Sequence, residues 1–289
     1  MLRALVSEIV LIDRNQPLAE AEAADIADAN ALARPARIWA GTYEDVATAS
    51  IAVITAGAAT HGNESRLSVL ARSAAIVGEC IESLTRSGFD GIVLVAANPV
   101  DIMAHVAFQK AGLPAERVIG TGTLLDSSRL RQALATKLAV APGALAGLVL
   151  GEHGDSEVAA FSTVRVGGLT LEDFAKSGQH FDHDVIAKNV REAGYLIVSG
   201  KGYTSFGIAT AVVRICEAII RNERIVLPVS TLLSGQFGID NVFLSLPCVL
   251  GAAGVERILL PELSIEEQGA LRQSAEVIRQ AMATLDARK

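Results

Sequence analysis

A rhythm in the first 120 or so residues constrains this chain most. Short apolar runs, EIVLID (8–13), ARIWAG (36–41), SIAVITAG (50–57), GIVLVAAN (91–98) and RVIGTG (117–122), read as strands. Helical patterns at 18–33, 64–86 and 100–112 separate them. Strands that alternate with helices are joined by crossovers and pair in parallel. Such a sheet is covered on both faces and needs nearly continuous apolar strands. The palette suits it: 51% of residues are hydrophobic but only 4% aromatic, which leaves Ala, Val, Leu and Ile to build the core. Each run ends on Asp, Gly or Asn, at the carboxyl edge where open α/β sheets hold ligands.

After about residue 121 the character changes. A helix is expected over 123–137, then ALAGLVLG, GEHGDS and the hairpin-like STVRVGGLTL. Helical patterns at 184–199 and 203–222 follow, then strand-like IVLPVST and VFLSLPCVL, and a charged amphipathic helix over 264–286. The expectation is an α/β protein with two units, residues 1–120 and a separate α+β lobe over 121–289. A net charge of −7 without a basic run argues against nucleic acid. No apolar segment is long and uninterrupted enough to cross a membrane, and the start does not read as a secretion signal. Cys80, Cys216 and Cys248 have no CxxC spacing, as expected of a reduced, cytoplasmic protein.

The segment richest in chemistry is LGEHGDSE, where Gly151 and Gly154 flank His153 and are expected to let the backbone turn sharply. On that segment alone, a reacting histidine and a structural one weigh equally. His105 lies in an apolar helix and reads as structural. His180 and His183, in QHFDHD, read as a solvated loop, and no HExxH or Cys–His pattern points to a metal. In NPVD, the residue before proline stays extended, which puts the Asn98 amide at a strand end as a positioned donor. GTGTLLDSSRLR opens a helix with Asp126 and Arg129 on one face at i, i+3; a surface ion pair is the plain alternative. Arg66 follows the polar loop HGNES and has the chemistry to swing onto a carboxylate. Two tempting motifs fail: GTGTLL lacks the third glycine of a dinucleotide fingerprint, and VSGKGYTS lacks the spacing and the Ser/Thr of a P-loop.

Taken in order, EIVLID, AGA–ESRL, NPVD, GLP–ERVIGTGTLLD–RLR, LGEHGDSE and GKGYTSFGIAT resemble the L-lactate/malate dehydrogenase family over essentially the whole chain. GYTSFGIAT and IGTGTLLD look most like bacterial L-lactate and L-2-hydroxyisocaproate dehydrogenases. The resemblance implies a Rossmann-like NAD-binding domain and a catalytic domain. It implies that His153 donates a proton to a 2-oxo acid with Asp126 behind it, that Arg129 clamps the substrate carboxylate, and that Arg66 closes over the carbonyl. Asn98 would contact carbonyl and nicotinamide, Thr204 and Ile208 would line the site, and Ala56 and Gly57 would border NAD. Thr60, six positions before Arg66, falls where lactate enzymes usually carry Gln and malate enzymes Arg, although the loop text ATHGN departs from theirs. Without a cation there, a second substrate carboxylate would stay unpaired, so malate is the runner-up. A larger apolar 2-oxo acid and pyruvate both remain candidates.

Asp13 matches the family's ribose-binding aspartate, which favours NAD over NADP by repelling a 2′-phosphate. The strand and GxGxxG turn that should come before it are absent; MLRALV resembles the tail of the helix after them. A start assigned at an internal methionine accounts for this better than true shortening, because every other catalytic position is intact. The rival reading is a non-catalytic homologue. The missing strand belongs between EIVLID and SIAVITAG, so both should keep an open edge. A homodimer or homotetramer is expected by resemblance. Arg131 matches an activator-binding arginine of some relatives, but Ala146 replaces its histidine partner, so no activation by fructose 1,6-bisphosphate is expected.

Overall fold

The computed structural model describes residues 5–58, 66–175 and 181–287. The first half runs β1 (Glu8–Leu11), α1 (Gln16–Asp28), β2 (Arg37–Ala40), β3 (Ile51–Ile54), α2 (Arg66–Arg86), β4 (Ile92–Val95), α3 (Val100–Ala111) and β5 (Val118–Gly120). The second runs α4 (Leu124–Leu138), β6 (Leu145–Leu150), β7 (Val158–Val166), α5 (Leu171–Phe174), α6 (His183–Lys201), α7 (Phe206–Ile220), β8 (Ile225–Ser234), β9 (Asp240–Gly251), β10 (Gly254–Ile258) and α8 (Ile265–Asp286). Local chemistry sets the helix ends. Asn15 and Asp182 accept amide hydrogens of the first turns of α1 and α6, and Ser264 with Glu267 forms a capping box on α8. Gly112 and Gly202 close α3 and α6 in the left-handed region.

The main sheet has the order β10-β9-β8-β5-β4-β3. β3, β4 and β5 are parallel, as the alternation predicts, and β8 to β10 form an antiparallel meander. The expected separate lobe is therefore only partly separate. β8 joins β5 antiparallel through Gly120 and Ser230, so one sheet runs through both halves of the chain. The expected hairpin over STVRVGGLTL is also corrected: β7 pairs with β6, and only the Val166–Leu169 bridge links its two arms. Gly167 and Gly168 make that reversal with positive φ.

β1 and β2 form a parallel ladder of their own, and none joins β1 to β3 among the described residues. The break lies between the two strands expected to keep an open edge. Burial follows it. β4 and β5 are buried throughout, whereas β1 is half-open and Val53 on β3 is 38% exposed. Core residues of α2, α3 and α8 pack on one face of the main sheet, and those of α7 on the other. A third cluster joins α4 and α6 to β6 and β7.

Phe243 on β9 is fully buried, with His105 edge-on to its ring and Phe108 tilted against it. Phe243→Ala should cost about 3–5 kcal/mol by cavity formation, whereas Leu32→Ala, at a side chain 90% exposed, should stay within roughly 0.5 kcal/mol. Urea unfolding midpoints of the two variants check the contrast.

Candidate active site

Three turns converge where β4, β5 and β6 end. The first follows β5. Gly122 has φ +53°, and a Cβ there would come within 2.5 Å of the Ser230 amide nitrogen and of Ser245 Oγ. The second glycine of GTG thus serves close packing of strand ends, which explains the motif without a dinucleotide. The Thr123 amide donates to Ser245 Oγ as α4 begins. In the first turn of α4, Asp126 is 1% exposed and faces inward.

The second turn follows β6. Gly151 has φ +87°, and a Cβ would meet Ser274 Oγ of α8 at 2.8 Å. Gly154, expected to share this role, does not have a positive φ; only Gly151 needs to be glycine for its conformation. The turn carries the His153 ring to Asp126, with Nδ1 2.6 Å from Asp126 Oδ2. The carboxylate's other oxygen, Oδ1, accepts from Arg129 Nη1 at 2.7 Å. Asp126 and Arg129 therefore form no surface pair: their side chains are 1% and 17% exposed. The guanidinium lies along α6, where a Cβ on Gly194 would stand 3.9 Å from Arg129 Nη2. The His153 side chain remains 27% exposed, and its Nε2 has no partner among the described residues.

Burial opposes charge on His153, but the hydrogen bond and negative charge of Asp126 outweigh it. Asp101 and Glu157 add to the effect, and the imidazole is pushed up to about 9. Burial likewise opposes ionisation of Asp126, yet contact with His153 and Arg129 holds its carboxyl below the usual range. The imidazolium form is thus the resting state at neutral pH.

The third turn follows β4. Asn98 is exposed just past the strand, as the pre-proline position implies, and α3 starts two residues later. Thr204 lies in the exposed turn between α6 and α7. Ile208, in the first turn of α7, packs partly buried against the cluster of Leu124 and Ile215. Gly207 brings this turn onto Leu125, next to Asp126. Arg66 opens α2, but its side chain and Thr60 lie outside the described residues. Two buried acids go unnoticed in the sequence: Asp101, which accepts the His153 backbone N–H, and Glu157. Burial pushes Glu157 up to about 8, and its Oε1 has no hydrogen-bond partner among the described residues. Neither falls at a spacing that marks it; only the folded turn brings them to His153. His183, expected in a solvated loop, opens α6 and stacks on Phe161 at 4.0 Å between ring centroids. His180 lies outside the described residues.

Asp126, His153 and Glu157 bring potential ligand atoms within 4.8 Å of one another. Both Asp126 oxygens are already engaged, however, one by a guanidinium whose charge opposes a divalent ion.

The residues at the strand ends fit the two halves of a dinucleotide. Asp13 is exposed just beyond β1, and its Oδ1 accepts the Asn15 amide at 2.8 Å, which fixes the carboxylate at the sheet's carboxyl edge. Ala56 and Gly57 are exposed beyond β3. A Cβ on Gly57 would make only ordinary contacts, at 3.8 Å or more, so packing does not dictate a glycine and the bare backbone suits close approach by a ligand. No GxGxxG turn occurs among the 289 residues.

Residues 1–120 match the lactate/malate dehydrogenase NAD-binding domain, and residues 123–288 match the alpha/beta C-terminal domain of the same enzymes. The chain belongs to the lactate/malate dehydrogenase family. It is 41% identical to the L-lactate dehydrogenase of Thermus aquaticus over 289 residues, 99% of this chain and 93% of that one. Its structure is similar to that of MGS-M5, a lactate dehydrogenase from a Medee basin deep-sea metagenome library. The TM-score is 0.96 at 38% identity, covering 99% of this chain and 92% of that one. The minor L-lactate dehydrogenase of Enterococcus mundtii, in its ligands-bound form, aligns at TM-score 0.94 and 38% identity over 100% of this chain and 92% of that one.

The native His153 pKa lies above the ordinary 6.5, so the His153–Asp126 contact contributes fully to stability below that pH. As pH rises through about 9 the native imidazole loses its proton and the contribution fades. Urea unfolding should therefore show a stability gap between the parent chain and His153→Gln that is wide near about pH 6 and narrows by about pH 10. A gap independent of pH would contradict the charged pair.

Proposed function

We propose that this chain reduces a 2-oxo acid to the L-2-hydroxy acid with NADH, and runs the reverse reaction with NAD. It is an enzyme of the L-lactate dehydrogenase type with NAD as its cofactor, and its relatives favour that reading over malate dehydrogenase. The observation that carries the chemistry is the 2.6 Å contact of His153 Nδ1 with buried Asp126, which leaves Nε2 free to work on a ligand.

Residues 1–120 would serve the cofactor and residues 121–289 the substrate. Asp13 would hold the adenosine ribose, while Ala56, Gly57, Asn98 and Ile208 would border the rest of NAD. When bound, NADH supplies a hydride to the carbonyl carbon. This chain's residues do the remainder. Arg129 holds the substrate carboxylate, a planar fork meeting a planar anion. The Asn98 amide orients the carbonyl, with Thr204 beside the substrate. His153 Nε2 passes its proton to the carbonyl oxygen, and Asp126 stabilises the imidazolium until that transfer. Arg66 would close over the site and polarise the carbonyl. Thr60 would leave room for an apolar side chain and offer no charge to a second carboxylate.

Oligomerisation through α6 and α7 is part of the proposal. Leu196, Tyr203 and Phe206 are 75%, 61% and 82% exposed there, an apolar face that a second copy would cover. No helix among the described residues is long and apolar enough to cross a membrane. The free cysteines suit a cytoplasmic location.

The test is NADH oxidation with pyruvate, 2-oxoisocaproate, phenylpyruvate and oxaloacetate. His153→Asn should lower kcat by about 10²–10⁴-fold. Arg129→Lys should raise KM for the 2-oxo acid at least roughly tenfold, in keeping with the loss of a charged hydrogen bond. Thr60→Arg should turn preference toward oxaloacetate. A folded protein without histidine-dependent turnover on any of the four would overturn the reading.

A further inference from the structure

Among the buried acids that the mechanism leaves unused, one touches the histidine turn directly. Asp101, in the first turn of α3, is 1% exposed. Its carboxylate is not available to accept from a substrate, because both its oxygens are engaged elsewhere. Oδ2 accepts the backbone N–H of His153 at 2.8 Å, and Oδ1 accepts the Ser230 hydroxyl at 2.6 Å. A buried carboxylate is costly unless its hydrogen bonds are met. Here the donors come from two other segments: the turn after β6 and strand β8. Ser230 is also the residue through which β8 joins β5, so the clamp is anchored at the seam of the main sheet.

We propose that Asp101 is the positioning residue of the proton donor: it fixes the His153 backbone relative to Asn98 and contributes negative charge that favours the imidazolium. The inference rests on the dehydrogenase reading of the site. Asn98 lies three residues before Asp101, separated from it by Pro99 and the start of α3. One short segment therefore presents the Asn98 amide toward the substrate from one end and holds the histidine turn from the other. The Asp126 contact orients the ring, but a ring pivoting on an unheld backbone would still swing Nε2 away from the carbonyl oxygen. A displacement on the order of 1 Å is enough to cost about 10²-fold in rate.

The groups that act on His153 are Asp126 from α4, Asp101 from α3 and Glu157 from its own segment. Behind them, Arg129 of α4 acts on Asp126 and Glu157, Glu152 acts on Asp101, and Arg191 of α6 acts on Glu157. Asp126 contributes most of the favourable interaction; Asp101 comes next. Burial raises Asp101 itself to about 6, against the Ser230 hydroxyl, the His153 amide and the His153 charge. It is therefore ionised through the neutral and alkaline range in which His153 gives up its proton.

Three variants separate positioning from charge. Asp101→Asn keeps an oxygen for the His153 amide while Ser230 turns to accept from the new amide group, so the clamp stays and the charge goes. Turnover of the 2-oxo acid should persist, with the alkaline midpoint of kcat/KM lowered by roughly 0.5–1 pH unit. Ser230→Ala keeps the charge and loosens its anchor, so kcat should fall several-fold with the midpoint in place. Asp101→Ala loses both, and kcat should fall at least about tenfold without a matching change in KM for NADH. An Asp101→Asn midpoint equal to that of the parent chain overturns the proposal, as does an Asp101→Ala variant with parental kcat. If Asp101→Ala does not fold, the Asp101→Asn profile decides. Absence of histidine-dependent turnover in the parent chain would instead defeat the dehydrogenase reading itself.

Discussion

The site depends on one buried carboxylate with two cationic partners. Asp126 is inaccessible to water, and alone its charge would be too costly to keep. His153 on one oxygen and Arg129 on the other make it tolerable, and in return it holds a protonated imidazole and a guanidinium side by side. Each member needs the others. Without the histidine the acid loses half its compensation, and without the acid two positive groups would face each other with nothing between them. That reciprocity makes the three side chains a unit of both stability and chemistry.

The fold's contribution is to bring strand ends together. β4, β5 and β6 finish in turns that carry Asn98, the start of α4 and His153, and the β5–β8 junction locks those turns through Gly122, Ser230 and Ser245. Against this rigid end, the cofactor side is discontinuous. β1 and β3 do not pair, and Asp13 and Gly57 stand at the ends of different sheets. The catalytic end therefore keeps its internal support even where the dinucleotide end shows an open seam.

Much of this was legible in the sequence because it follows from short-range rules. Alternating apolar runs give parallel strands, Asn before proline stays at a strand end, and the spacing of Asp126 and Arg129 puts both on one helix face. His153 was singled out by its glycines, although only Gly151 takes the strained conformation. What escaped was set by distance. Nothing around Asp101 or Glu157 reveals that a turn some fifty residues away, or a chain reversal beside them, will enclose them with His153. The extension of the first sheet by β8 was hidden for the same reason, since one backbone pairing across more than 100 residues leaves no periodic trace. The place of His183 on α6 depended on a stacking partner, Phe161, from another strand. The family resemblance supplied roles for Arg129 and Arg66 that residue chemistry alone left open between binding and plain surface charge.

The measurement that bears most directly on this account is a ¹⁵N NMR titration of the His153 ring in the unliganded protein. The account predicts that Nδ1 keeps its proton throughout, facing Asp126, while Nε2 loses its own with a midpoint near 9. A midpoint at or below the ordinary 6.5, or a neutral form with the proton on Nε2, would contradict it, because Asp126 would then not be holding a charged proton donor.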